Sequence, residues 1–100
     1  MSEWIYFIHP PREHFVDTIT EDEATIMQIH AEHLAELHQQ GVLILAGPTF
    51  GAVNTGVAII EAADEEAARE LMMSDPAVTS GLMTPELRPM RVSFLRGVDD

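Results

Sequence analysis

One hundred residues, 46% of them hydrophobic, make one domain's worth of chain with enough apolar surface for one core without staples. Seventeen Asp and Glu against five Arg and no Lys set the formal net charge at -12, a field that repels phosphate backbones and anionic lipid, so no nucleic-acid and no membrane partner is expected. The absence of cysteine excludes disulfides, thiolate metal sites and thiol nucleophiles, and it fits a reduced, cytoplasmic setting.

The opening MSEWIYFIHP has no basic leader and no long apolar run, so no signal peptide is expected. Within it, Trp4 to His9 is aromatic and β-branched, with apolar residues on both parities, which predicts a strand covered on both faces. Pro10 and Pro11 end that strand because proline cannot donate to a ladder. Arg12 to Thr18 reads as a loop, with Phe15 as its anchor.

Thr20-Glu21-Asp22-Glu23 has the form of a capping box, with Thr20 as N-cap and Glu23 reaching back. Behind it Ile26, Ile29, His30, His33, Leu34 and Leu37 recur at three- and four-residue spacing, one stripe of a helix that Gly41 stops. Val42 to Ala46 reads as a short apolar strand broken by Gly47-Pro48. Thr55 to Ala62 is the third strand. Asp64 caps a second helix from Glu65 to about Ser74, and Asp75-Pro76 ends it, since the residue before proline avoids the helical region. Glu86 to Leu95 is the last strand. Pro89 inside it marks an edge or an interruption, and the Val98-Asp99-Asp100 tail is expected to fray.

Strand, helix, strand, strand, helix, strand is the ferredoxin-like α+β order: a four-stranded antiparallel sheet with two helices on one face. The bare face of that sheet would be apolar. Burial against a second copy of the chain, as a homodimer or higher homo-oligomer, is the physical answer. The whole of residues 1–100 is expected to be one domain, with its core at about 3–96.

The chemistry-bearing residues are few. His30 falls inside the apolar stripe, where its ring faces the sheet. A ring so placed is either a core imidazole satisfied by a backbone carbonyl or a proton-transfer group. His33 sits at the edge of the stripe. His38 lies near the helix C-terminus, where a cation complements the dipole, and that alone accounts for it. HAEH is not the HExxH pattern, so no metal site and no cofactor are expected. Asp75 caps the turn that Pro76 opens, or else meets His30 in space and fixes its tautomer. Arg88 and Arg91 fall on opposite faces of a regular strand. An inward one would clamp an anionic ligand, and an outward one would pair with the abundant acids.

Three segments in order resemble the YCII-related family: HAEHLAELHQQGVLILAGP from His30 to Pro48, SDPAVTSGL from Ser74 to Leu82, and the closing ELRPMRVSFL. The resemblance implies a dimeric α+β barrel of ferredoxin-like subunits. It also implies a catalytic pair whose positions match His30 and Asp75. Arg91, His33, Gly47 and Pro48 are the accompanying candidates for substrate contact, although Gly47-Pro48 by itself reads as a turn. Many relatives carry an arginine shortly before the histidine. This chain has Met27-Gln28-Ile29 there, which leaves Arg12 or Arg91 as substitutes.

Two functions follow as expectations. One is a cofactor-independent, lyase- or dehalogenase-like enzyme that uses the His-Asp pair as general acid and base on a small molecule. The other is a non-catalytic module that binds a small ligand.

Overall fold

The computed structural model describes residues 2–97, so the expected fraying of Val98-Asp99-Asp100 lies outside the described residues. The elements run β1 (Ser2–His9), α1 (Phe15–Thr18), α2 (Glu21–Gln39), β2 (Leu43–Pro48), β3 (Gly56–Ala62), α3 (Glu65–Met73), α4 (Pro76–Thr79) and β4 (Thr84–Met90). The strands form one antiparallel sheet in the order β2-β3-β1-β4, the ferredoxin-like arrangement. Two helices, α1 and α4, add to the expected pair. Among the described residues no helix is long and apolar enough to cross a membrane.

The period-2 pattern sets which face is covered. Trp4, Tyr6 and Ile8 of β1 and Ala58, Ile60 and Ala62 of β3 are buried on the helical side, and with Leu37 and Met72 they form the core. The other parity of the same strands presents Ile5, Phe7, Val57 and Ile59, all half-buried, on the helix-free face.

Local signals explain the helix ends. The capping box is formed: Thr20 Oγ1 accepts from the Glu23 N–H, and the Glu23 carboxylate accepts from the Thr20 N–H. Arg12 binds the same carboxylate through both terminal nitrogens at 2.9 and 2.8 Å and lies 5.3 Å from the ring centroid of Phe15. The Arg12 hydrogen bond is the main reason the Glu23 carboxyl is held down to about 2. Arg12 is thereby a strap across the α1–α2 corner and not an anion clamp. Gly41 takes φ +78°, the left-handed conformation that releases the chain from α2.

Four expectations change. The segment from Arg12 to Thr18 is not plain loop: α1 forms there, with Phe15 buried as its anchor. Ile29 is 48% exposed, because neighbouring helix positions differ by about 100° and the face holding His30 turns Ile29 outward. Gly47-Pro48 does not break β2, since both residues pair with β3; an edge strand tolerates a proline with no N–H to donate. Finally, β4 stops at Met90, not Leu95. The ladder with β1 ends at the Glu3–Met90 pair, and beyond it the Val92 N–H donates to the Glu3 side chain at 3.0 Å rather than to a strand carbonyl.

Gly56 sits where β3 crosses close to Ile8. A Cβ there would come 2.7 Å from Ile8 Cγ1, and Ile8 is itself packed in the core. Gly56→Ala is therefore expected to destabilise by about 1–3 kcal/mol, read as a lower urea midpoint at unchanged slope. An unchanged midpoint would mean that Ile8 can move aside.

Candidate functional site

Asp75 is the buried centre of the site. It has no exposed surface, and three donors converge on it. Tyr6 donates its hydroxyl to Oδ2 at 2.6 Å, His30 meets Oδ1 through Nδ1 at 2.7 Å, and the Ala77 N–H donates to Oδ1 at 2.9 Å. The Ala77 contact is the N-cap of α4, the role that Asp-Pro predicts. Burial by itself pushes the Asp75 carboxyl up. The bonds from His30, Tyr6 and the Ala77 N–H outweigh it and hold the group below its usual 3.8. Tyr6 is driven the other way, far above the ordinary phenol range, first by burial and then by its bond to the carboxylate.

An ionised Asp75 accepts and cannot donate, so the proton between it and His30 belongs to Nδ1. That leaves Nε2 of His30 with no hydrogen bond to any described residue. The His30 side chain keeps 12% of its surface and lines a cavity of about 430 Å³ between α2 and the sheet. A carboxylate behind an imidazole whose far nitrogen faces a cavity is an arrangement able to take a proton from a bound molecule and return it.

Small residues create the cavity. Ala31 and Ala35 on α2 face Ala46, Gly47, Gly56 and Ala58 on the sheet, and none carries a side chain long enough to fill the gap. Met27 and Leu34 of α2 and Phe15 of α1 complete the apolar wall. Of the polar residues that line it, Asn54 is fully engaged: its oxygen accepts from the Val16 N–H, and its amide donates to the carbonyls of Thr49 and Gly51. His38, two turns beyond His30, reaches the same space.

The structure brings together His30, Asp75, Gly47 and Pro48, the last two as cavity wall. It does not bring in His33, which is absent from the lining and whose buried Nε2 has no hydrogen-bond partner among the described residues. Nor does it bring in Arg91, which is exposed past the end of β4. Arg88 pairs with Glu86 at 2.9 Å. No arginine lines the cavity, and among the described residues no three metal-ligating side chains converge. Sequence reading missed Tyr6, and it read His38 only as a partner of the helix dipole. For Tyr6 a signal existed: it shares the parity of Trp4 and Ile8, so its hydroxyl had to find a buried partner.

The YCII-related domain family matches residues 4–91. No curated protein matches the chain. Among solved structures, the fold is similar to that of 5-chloro-2-hydroxyhydroquinone dehydrochlorinase (TftG) from Burkholderia phenoliruptrix AC1100, determined in complex with 2,5-dihydroxybenzoquinone. The TM-score is 0.59 at 17% identity, over 88% of this chain and 93% of that one. At that identity the likeness speaks for the fold alone.

Proposed function

The chain belongs to the YCII-related family, and from that premise we propose that it is a small-molecule enzyme of lyase or dehalogenase type, with His30 as general base and acid. The observation that carries the proposal is the free Nε2 of His30, set at a cavity wall with Asp75 bound behind it. Asp75 holds the tautomer and stabilises the imidazolium that forms. Tyr6 holds Asp75.

The similar dehydrochlorinase acts on a chlorinated hydroxyhydroquinone and binds a dihydroxybenzoquinone. A ring of that kind suits the apolar slot described above. In the reaction we propose, His30 Nε2 first carries the proton of one ring hydroxyl to the halogen-bearing carbon, which gives the keto tautomer and makes that carbon sp3 and allylic. Nε2 then accepts the proton of a second ring hydroxyl conjugated to it. The O–H pair becomes the carbonyl π bond, the ring double bond shifts, and halide leaves an allylic ring carbon with the C–X bonding pair. The products are a quinone, a halide ion and a protonated His30, which releases its proton to water. No electron acceptor enters.

We also propose that two copies pack through the helix-free sheet face, where Ile5, Phe7, Val57 and Ile59 would leave water.

The test is a panel of halogenated and unhalogenated hydroxyhydroquinones, followed by halide release and by ultraviolet absorption of the quinone. Halide release equal to quinone formed is the expected result. Tight binding of the same compounds with no halide release would instead make the chain a ligand-binding module.

A further inference from the structure

We infer that the ligand of the cavity is larger than a single ring: a hydroxylated ring that carries an apolar substituent, with a hydroxyl at His30 and the substituent in the slot between α2 and β2. The inference rests on the ring-substrate reading above and goes further by naming what the ring must carry.

Size comes first. The cavity measures about 430 Å³, whereas about 150 Å³ is enough to take up a bare benzene ring. A ring with only small oxygen substituents would leave much of the space to water, held against apolar walls. Displacing such water with an apolar group gains affinity. The depth of the cavity agrees. Tyr6, Ile8 and Ala58 form a buried floor, while Ala31 and Ala35 of α2 and Ala46 of β2 stand exposed at the rim. Ala46 pairs with Ala58, so its side chain lies on the helical side of the sheet. β2 is an edge strand, and the slot opens past that edge.

Polarity comes second. No aspartate, glutamate or arginine lines the cavity, so a charged substituent would meet no counter-ion there. Tyr6 is tied to Asp75, and the Asn54 side chain goes to backbone groups. His38 is exposed at the rim. Inside the rim, His30 alone among the lining side chains is left to receive a polar group of the ligand. Everything beyond that group meets carbon, from Met27 and Leu34 on α2 and Leu43 on β2. An apolar substituent matches such a wall, and a polar one would lose its water without a partner. The width of the slot is set by alanine. Ala31 and Ala35 stand one turn apart on a single face of α2, across from Ala46. A longer side chain at either end of that gap would take the space the substituent needs.

The experiment measures, by calorimetry on the full chain, the binding of phenol, 4-propylphenol and 4-hexylphenol. Affinity is expected to rise about three- to fourfold for each methylene that leaves water. Ala35→Leu and Ala46→Leu narrow the slot from its two sides, both at exposed positions that the core does not use. Each should weaken 4-hexylphenol by about tenfold, the effect of displacing two methylenes, and leave phenol within about twofold. The retained phenol affinity reports that the fold and the His30 end are intact. Affinity that does not rise with substituent length overturns the inference. So does a rise that both variants leave unchanged, which would put the substituent on another surface. The catalytic reading fails differently: length dependence intact and sensitive to Ala35→Leu, with no halide released from any halogenated ring. Halide release with the same kcat/KM for bare and alkylated rings would leave that reading standing and overturn this one.

Discussion

Asp75→Ala is expected to lower the unfolding free energy by about 3–5 kcal/mol, the usual effect of removing one partner from a buried charged pair. The carboxylate has no exposed surface and three donors point at it, from Tyr6, His30 and the Ala77 backbone. Alanine leaves all three without an acceptor. Tyr6 is only 1% exposed, so water cannot easily replace the lost bond. The same change removes the N-cap of α4. A domain of this size has about 5–15 kcal/mol in total, so the variant sits near the edge of folding. Asp75→Asn supplies the graded case, since its carbonyl oxygen keeps one acceptor. Urea unfolding of both variants checks the order: unaltered chain, then Asn, then Ala. Equal midpoints for all three would mean that the buried carboxylate contributes nothing to stability.

The acid limb of stability follows from the same group. Its carboxyl is held below the usual 3.8 in the folded chain, so the folded state binds fewer protons than the unfolded one around that pH. Stability from Asp75 is therefore complete above about pH 4 and is lost as the pH falls below it. The stability gap between the unaltered chain and Asp75→Asn should narrow on acidification and stay constant at neutral pH.

Much of this arrangement is legible in the sequence because the signals are local. The capping box at Thr20, the glycine stop at Gly41 and the Asp-Pro turn at Asp75 each depend on residues within a few positions, and each is formed. What fails does so where a pattern needs a partner. Residues after Arg91 alternate well enough for a strand, yet the ladder with β1 stops at the Glu3–Met90 pair and the Val92 N–H goes to the Glu3 side chain instead. Ile29 matches the helical period in a list but turns about 100° away from His30 on the cylinder. The meeting of His30 with Asp75, 45 residues apart, was suggested by family resemblance and not by periodicity, which placed His30 among core residues equally well. Tyr6, 69 residues from Asp75, was recoverable only by following the parity of β1 to its buried hydroxyl.

The catalytic reading stands or falls on His30. Once a halide-releasing substrate is identified, His30→Gln is expected to lower kcat by about 10²–10⁴-fold, the usual contribution of a positioned general base. Glutamine is chosen because its amide can still donate to Asp75 Oδ1, so the buried carboxylate keeps a partner and the fold survives. KM should change little, since the apolar walls remain. The second variant is His30→Ala, which opens space at the cavity wall. Free imidazole added to it should restore part of the rate with saturation, whereas added phenol should not. Rescue of that kind needs a missing base and not merely a missing wall. Full activity in His30→Gln would place the proton transfer elsewhere, and the bond to Asp75 would then serve only to hold α2 against α4.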